Sequence, residues 1–360
     1  MAQKNTNLHD AKNAKNDEFY TRYSDIEEEI SYYLEYDENV FRDKTILLPC
    51  DDPEYSEFTK YFAANFEAVG IKKLISTSYA HGICNQNITD FERRSKCFDE
   101  SKHATHGKVF ILERDVNNSK RVNVDDLQWQ YLEGDGDFRS DEVKALRDEA
   151  DFIITNEPFS LFRQFISWIF EAPTEKKFII IGSQNAITYK EFFPLLKDNK
   201  VWLGCNMVKS FKTPDGSMKK FGNICWFTNV DHSKRHKEYQ YMSMADNLRY
   251  NKKLIKSLQD KFNTKTYPKY DNYDAIEVPF CDAIPGDYCE SWGVNEKSYY
   301  KLNSADWEIT RRSVEDDGSV TLWIIPANGT KLREMMSKQD TGYREIIRLF
   351  LNSGMTVCLV

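Results

Sequence analysis

The chain has 360 residues, 41% of them hydrophobic and 14% aromatic, which excludes a disordered polymer and leaves room for a sizeable core with a smaller partner domain. No apolar run approaches the roughly 20 residues of a membrane span, and the polar N-terminus lacks a signal-peptide pattern. The net charge of −8 does not exclude a polyanionic partner, because its distribution along the chain matters more than its sum.

Residues 1–16 are polar and aperiodic and read as a flexible arm. A helix is predicted over Asp25–Tyr36, then a strand over Lys44–Cys50 that ends in Asp51-Asp52. Ser56 caps a second helix, which places Phe58, Tyr61, Phe62, Phe66 and Val69 on one face and stops at Gly70. Further strands are predicted over Lys72–Tyr79, Val109–Leu112, Gln128–Leu132, Asp151–Thr155, Phe178–Gly182, Val201–Cys205 and Ile224–Thr228. Helices fall at Asp141–Ala150, Leu161–Ala172 and Tyr189–Asp198. Apolar strands alternating with amphipathic helices imply an α/β fold: a mostly parallel sheet with helices on both faces. Ligands of such sheets bind beyond the carboxyl ends of the strands, where Asp51, Asp137 and Asn156 fall.

Met207–Tyr270 carries 14 Lys and Arg against 5 Asp and Glu, which leaves the rest of the chain at −17. Ten aromatic residues interleave with these charges, a composition suited to one nucleic-acid-facing surface on an acidic body. Around Lys252-Lys253-Leu254-Ile255-Lys256 the same charges read equally well as a solvated helix face. Beyond about Asp231 the pattern becomes irregular, which suggests a second region. The eight cysteines form no CxxC pair, and free thiols in a reducing cytoplasm fit them better than a disulfide framework. His232 and His236, or Cys97, His103 and His106, lack a four-ligand pattern, so no metal is expected. No Ser/His/Asp motif or nucleotide P-loop can be read.

Thr155-Asn156-Glu157-Pro158-Phe159 ends a buried strand in a polar, proline and aromatic turn. Such a turn is common structural punctuation. It also supplies what methylation of an exocyclic amine requires: an Asn oxygen and a following carbonyl to hold the amine hydrogens, and an aromatic face to stack on an extruded base. Cys50-Asp51-Asp52-Pro53 stands where many cofactor-binding folds have a glycine-rich loop. It reads either as a helix-capping turn or as an acceptor for a cationic ligand. Ile75-Ser76-Thr77-Ser78-Tyr79 ends the next strand without the carboxylate that often holds ribose hydroxyls.

Four segments occur together in one order: Asn13–Thr21, Gly134-Asp135-Gly136-Asp137-Phe138-Arg139-Ser140, the Asn156 turn, and Tyr267–Ile276. In that order the chain resembles the EcoRI-type adenine-specific DNA methyltransferases, from about Asn13 to past Asp287. The resemblance implies a Rossmann-like SAM-methyltransferase sheet. It assigns 17–230 as the catalytic domain binding S-adenosylmethionine (SAM) and 231–360 as a target-recognition region. It implies transfer of methyl to the exocyclic amine of a flipped adenine in double-stranded DNA. In this reading Asn156, Glu157, Pro158 and Phe159 form the catalytic turn. Tyr20, Thr21, Asp51, Asp52, Asp137, Phe138 and Asn156 meet the cofactor, and Lys209, Lys212, Lys219, Lys220, Lys234 and Arg235 meet DNA. A restriction endonuclease acting on the same sequence is the partner such an enzyme implies. The usual family turn has Pro where this chain has Glu157, which removes a locked φ and adds a carboxyl group. That departure keeps open a catalytically impaired DNA-binding or inhibitory protein. The same turn also serves methylation of RNA or of a protein amide.

Overall fold

The computed structural model describes residues 19–53, 55–80, 95, 97–114, 122, 126–213, 216–237, 241–271, 274–288, 290–295, 307–314 and 320–326. The arm expected at 1–16 lies outside the described residues. The described chain forms two compact units, Met1–Ala186 with Leu203–Ser233, and Ile187–Trp202 with Lys234–Val360.

In the first unit, helix α1 (Tyr23–Tyr36) precedes strand β1 (Thr45–Leu48), α2 (Glu57–Ala64) and β2 (Lys73–Ser78). A hairpin-like pair, β3 (Lys108–Leu112) and β4 (Gln128–Tyr131), leads to α3 (Asp141–Glu149) and β5 (Phe152–Thr155). Then come α4 (Phe162–Phe170) and β6 (Lys177–Ser183), followed in the second unit by α5 (Phe193–Lys197). The chain returns as β7 (Trp202–Met207), β8 (Ser210–Lys212), β9 (Met218–Lys220) and β10 (Ile224–Thr228). Eight of these strands form one sheet in the order β4-β3-β2-β1-β5-β6-β10-β7.

The central strands β2, β1, β5 and β6 run parallel. Strands Thr-Ile-Leu-Leu and Phe-Ile-Ile-Thr are buried at every position, as expected where helices flank a parallel sheet. Beyond them the sheet is mixed: β3 is antiparallel to β2 and to β4, and β10 is antiparallel to β6. The outermost strand, β7, is secured from the side. The buried Glu29 carboxylate on α1 accepts from the backbone N–H groups of Cys205 at 2.7 Å and Asn206 at 2.8 Å, and from the Tyr33 hydroxyl at 3.1 Å. A Cβ on Gly204 would lie 2.2 Å from Glu29 Oε1, so only glycine admits this approach. His232 completes the arrangement, with Nδ1 3.2 Å from Cys205 Sγ and Nε2 3.1 Å from the Leu203 carbonyl.

The second unit holds α6 (Met244–Tyr250), α7 (Lys252–Ser257), and strands β11 (Ile276–Val278), β12 (Trp292–Asn295), β13 (Trp307–Val314) and β14 (Val320–Pro326). These strands form a sheet of their own, ordered β11-β12-β14-β13, in a region whose sequence pattern is irregular. No helix among the described residues is long and apolar enough to cross a membrane. None of the five described cysteines is in a disulfide: Cys205, Cys225 and Cys281 are buried, Cys50 is partly buried and Cys97 is exposed.

Candidate active site

The site is built at the carboxyl ends of β1 and β5, which are adjacent and parallel. After β1 the chain turns through Cys50, whose φ of +64° lies in the left-handed region. A non-glycine residue there costs about 1–2 kcal/mol, and such strain persists where the surroundings over-determine it. The following residue is held from several sides. The Asp51 carbonyl accepts from the hydroxyls of Thr59 (2.8 Å) and Ser76, and Asp51 Oδ1 accepts from Ser56 Oγ at 2.6 Å. Ser56 also accepts from Phe58 N–H at 3.1 Å, so one hydroxyl caps α2 and anchors the carboxylate. Asp51 Oδ2 is buried and meets no hydrogen-bond donor. Burial pushes the Asp51 pKa up to about 7, against the opposing hydrogen bond from Ser56. Asp52 is half-buried, and its carbonyl accepts from the N–H groups of Tyr55 and Ser56.

At the end of β5, Thr155 Oγ1 donates to the Pro49 carbonyl at 2.8 Å and ties the two strand ends together. Asn156 Nδ2 donates to the carbonyl of Phe19. A carbonyl can only accept, so this contact fixes the orientation of the amide and leaves Asn156 Oδ1 as a buried acceptor without a partner. Glu157 follows, 1% exposed, and neither of its carboxyl oxygens meets a hydrogen-bond donor from another residue. Its pKa is raised well above the carboxylate range by burial and by the charge of Asp51, opposed by its own backbone amide. Pro158 is half-buried and opens a 3-10 turn, Phe159–Leu161, that leads into α4.

The segment before α1 and the β8–β9 hairpin close over this turn. Tyr20 and Lys212 exchange backbone hydrogen bonds of 2.8 and 2.9 Å, which fixes Phe19 beside Asn156. The hairpin delivers Phe211 and Phe221. The Phe159 ring stacks on Phe19 at 6.1 Å and meets Phe211 and Phe221 edge-on at 5.9 and 6.1 Å. Lys219 Nζ lies over Phe19 at 4.8 Å and over Phe221 at 5.5 Å, so a cation borders the aromatic cluster. Lys209, Lys212 and Lys220 are exposed on the same hairpin. Tyr20 stacks on Tyr55 at 5.9 Å, and Thr21 is buried with its hydroxyl unpartnered. Lys234 and Arg235 lie on a separate 3-10 turn, Ser233–His236, with Arg235 over the Trp202 ring at 3.8 Å.

The Gly134–Asp137 turn presses on the end of β2. A Cβ on Gly136, at φ +85°, would lie 2.3 Å from the Ser78 carbonyl oxygen, and Ala80 N–H donates to the Asp135 carbonyl at 2.8 Å. Asp137 is engaged by its neighbour: Oδ1 accepts from Arg139 N–H at 2.8 Å and Nε at 2.9 Å, and the guanidinium holds its pKa below the usual range. The Phe138 ring is 2% exposed and packs against Phe165 at 5.2 Å and Trp168 at 5.6 Å.

A central parallel sheet with a polar turn at the end of β5 and an acidic turn at the end of β1 defines an α/β methyltransferase of the Rossmann-like class. Residues 7–349 match the family described as adenine-specific methyltransferase EcoRI, and the chain belongs to that family. It is 38% identical to the type II methyltransferase M.EcoRI of Escherichia coli over 333 residues, 86% of this chain and 91% of that protein. The type II methyltransferase M.MgeORF184P of Mycoplasma genitalium is 32% identical over 303 residues, covering 79% of each chain. M.MpnI of Mycoplasma pneumoniae, of the same type, is 29% identical over 305 residues, 79% of this chain and 78% of that protein. The chain is therefore a DNA methyltransferase enzyme. No solved structure matches it.

The residues that the sequence pattern missed are Phe19, Phe211 and Phe221 around Phe159, and the hydroxyls of Ser56, Thr59 and Ser76 around Asp51. The signals available were the capping pattern at Ser56, the place of Phe19 within the Asn13–Thr21 segment, and the aromatics interleaved through Met207–Tyr270.

Proposed function

We propose that the enzyme transfers methyl from SAM to the exocyclic amine of adenine at a specific site in double-stranded DNA, with the base turned out of the helix. The observation that carries this reading is Asn156: its Nδ2 is fixed by the Phe19 carbonyl, and its Oδ1 is a buried acceptor with no protein partner. An amine hydrogen satisfies that oxygen, and the Glu157 carbonyl takes the second. Holding both hydrogens draws the nitrogen lone pair out of conjugation with the ring. Phe159 is partly buried among Phe19, Phe211 and Phe221, which supports it as the stacking face. Stacking worth about 1–3 kcal/mol per base offsets the few kcal/mol that unstacking costs.

SAM, when bound, supplies a methyl group made electrophilic by sulfonium. The buried unpartnered Thr21 Oγ1 fits its amino-acid end, with Tyr20 and Asp52 beside it, and the unpartnered Asp51 Oδ2 is available to its cationic part. Asp137 reaches the cofactor adenine only by sharing its carboxylate with Arg139. The basic hairpin bearing Lys209, Lys212, Lys219 and Lys220 is the face we assign to the phosphate backbone. Lys234 and Arg235, with the region 231–360, are assigned to target reading, and a cognate restriction endonuclease is the natural counterpart. Incubation with labelled SAM and unmethylated genomic DNA, followed by mapping of the modified base, tests the proposal. Label on cytosine, on RNA, or on no nucleic acid would overturn it.

A further inference from the structure

Five buried polar atoms without hydrogen-bond partners gather around the linked ends of β1 and β5 and the segment before α1: Thr21 Oγ1, Asp51 Oδ2, Asn156 Oδ1 and both Glu157 carboxyl oxygens. The amine reading absorbs Asn156. It gives no role to the Glu157 side chain, since only the carbonyl of that residue is needed. Yet the side chain is 1% exposed, in a turn where a glutamate could readily face water. A carboxyl group buried without donors is strongly disfavoured in its charged form. A second carboxyl group, Asp51, is close enough for its charge to disfavour ionisation of Glu157 further. Burial also pushes Asp51 towards neutrality, despite the Ser56 hydroxyl at 2.6 Å. An apolar residue at position 157 would avoid this penalty, so the arrangement is one that a bound positive charge repays.

We propose that Glu157 is a donor-positioning residue: with Asp51 it forms a two-carboxyl pocket that receives the sulfonium charge of the methyl donor and thereby separates the donor from its thioether product. This inference rests on the reading that the donor is SAM. The donor is cationic at sulfur, and the thioether left after transfer, S-adenosylhomocysteine (SAH), is neutral there. A pocket that is stabilised by the sulfonium and destabilised without it holds the donor and releases the product. The penalty on two buried carboxyl groups, relieved in the complex with the sulfonium and left in the complex with the thioether, is what sets the discrimination.

The test is calorimetric titration of the full chain with SAM and, separately, with SAH. The parent protein binds SAM more tightly than SAH. Glu157→Gln keeps the shape and removes the charge, so it lowers the SAM-over-SAH preference by about tenfold or more, the scale of one hydrogen-bonded charge interaction. Its SAH affinity stays close to that of the parent. Asp51→Asn shifts the preference in the same direction and gives an independent reading should Glu157→Gln fail to fold. An unchanged preference in both variants, or an equal loss of SAM and SAH affinity, overturns the pocket; the latter result would place the carboxyl groups on the ammonium, which both ligands carry. A parent protein that binds neither ligand overturns the donor reading itself, a result distinct from the other two.

Discussion

Asp51→Asn should change how the ligand-free protein responds to pH. In the folded chain the Asp51 carboxyl group is buried, and its pKa moves from the ordinary 3.8 to about 7. Between these values the folded state keeps a proton that the unfolded state has lost. Stability therefore falls as pH rises, by about 1.4 kcal/mol per pH unit. Over the roughly three units between the two values the loss is about 4 kcal/mol, and it levels off above pH 7. Glu157 is shifted in the same direction by burial and by Asp51, so it extends the loss to higher pH. Urea unfolding at half-unit intervals from pH 5 to 8, followed by tryptophan fluorescence, gives the stability at each pH. Other groups titrate in this range, so the quantity to compare is parent minus Asp51→Asn. That difference should fall steadily from pH 5 to 7 and then flatten. A difference that stays constant across the range would show that Asp51 is already ionised in the folded protein, and the argument from burial would fail.

Asn156→Ala should lose at least about two orders of magnitude in single-turnover methylation, the usual effect of removing one positioned polar group in an active site; a smaller loss would move the amine acceptor elsewhere. Phe159→Ala should abolish stable trapping of a flipped base, read by a fluorescent adenine analogue, whereas Phe159→Tyr should retain it. Charge reversal at Lys219 and Lys220 should weaken duplex binding and flatten its salt dependence more than reversal at Lys72 and Lys73; equal effects would mean that the hairpin is not the DNA face. Glu29→Ala leaves the buried Cys205 N–H, the part-buried Asn206 N–H and the Tyr33 hydroxyl without this acceptor, so it should cost about 3 kcal/mol or more in urea unfolding without affecting residual SAM binding.

The catalytic framework was legible because its signals are local. Runs such as Thr45–Leu48 and Phe152–Thr155 are short, apolar and rich in β-branched residues, and their spacing with amphipathic helices identifies parallel pairs. The Ser56 cap appears where its chemistry requires it, whereas the helix ends at Ala64, short of the expected stop at Gly70, which takes φ +72° in the turn that follows. The β8–β9 hairpin was not legible. Its strands have three residues each, and Ser-Phe-Lys and Met-Lys-Lys are no more strand-like than loop-like. It is further bridged to Tyr20, nearly 200 positions away, a contact no local pattern encodes. The surroundings of Phe138 were not legible for a related reason: the local sequence does not encode its ring contacts with Phe165 and Trp168. The sheet β11-β12-β14-β13 joins short strands across loops of uneven length, so periodicity alone does not reveal it.

Glu157 marks the limit of sequence reading, since neither its burial nor its neighbour follows from the turn in which it lies. A glutamate before proline at a strand end would ordinarily extend into solvent, and its substitution by glutamine would then be silent. In the structure it is enclosed beside Asp51 with no donor for either oxygen, so the same substitution should separate two effects that usually move together. The folded chain should become more stable, because an unpaired buried carboxyl group is exchanged for a neutral amide. Transfer should slow, because the pocket loses the charge proposed to hold the donor. Glu157→Pro carries the logic further. It restores the usual family turn and removes the carboxyl group altogether, so its backbone carbonyl still serves the amine while discrimination between donor and product falls. Thermal melting, set beside single-turnover rates at donor concentrations below saturation, measures both effects on the same samples. If glutamine leaves the melting temperature lower and the rate unchanged, Glu157 is a structural residue whose partners form only in the folded ensemble, and the pocket argument loses its foundation.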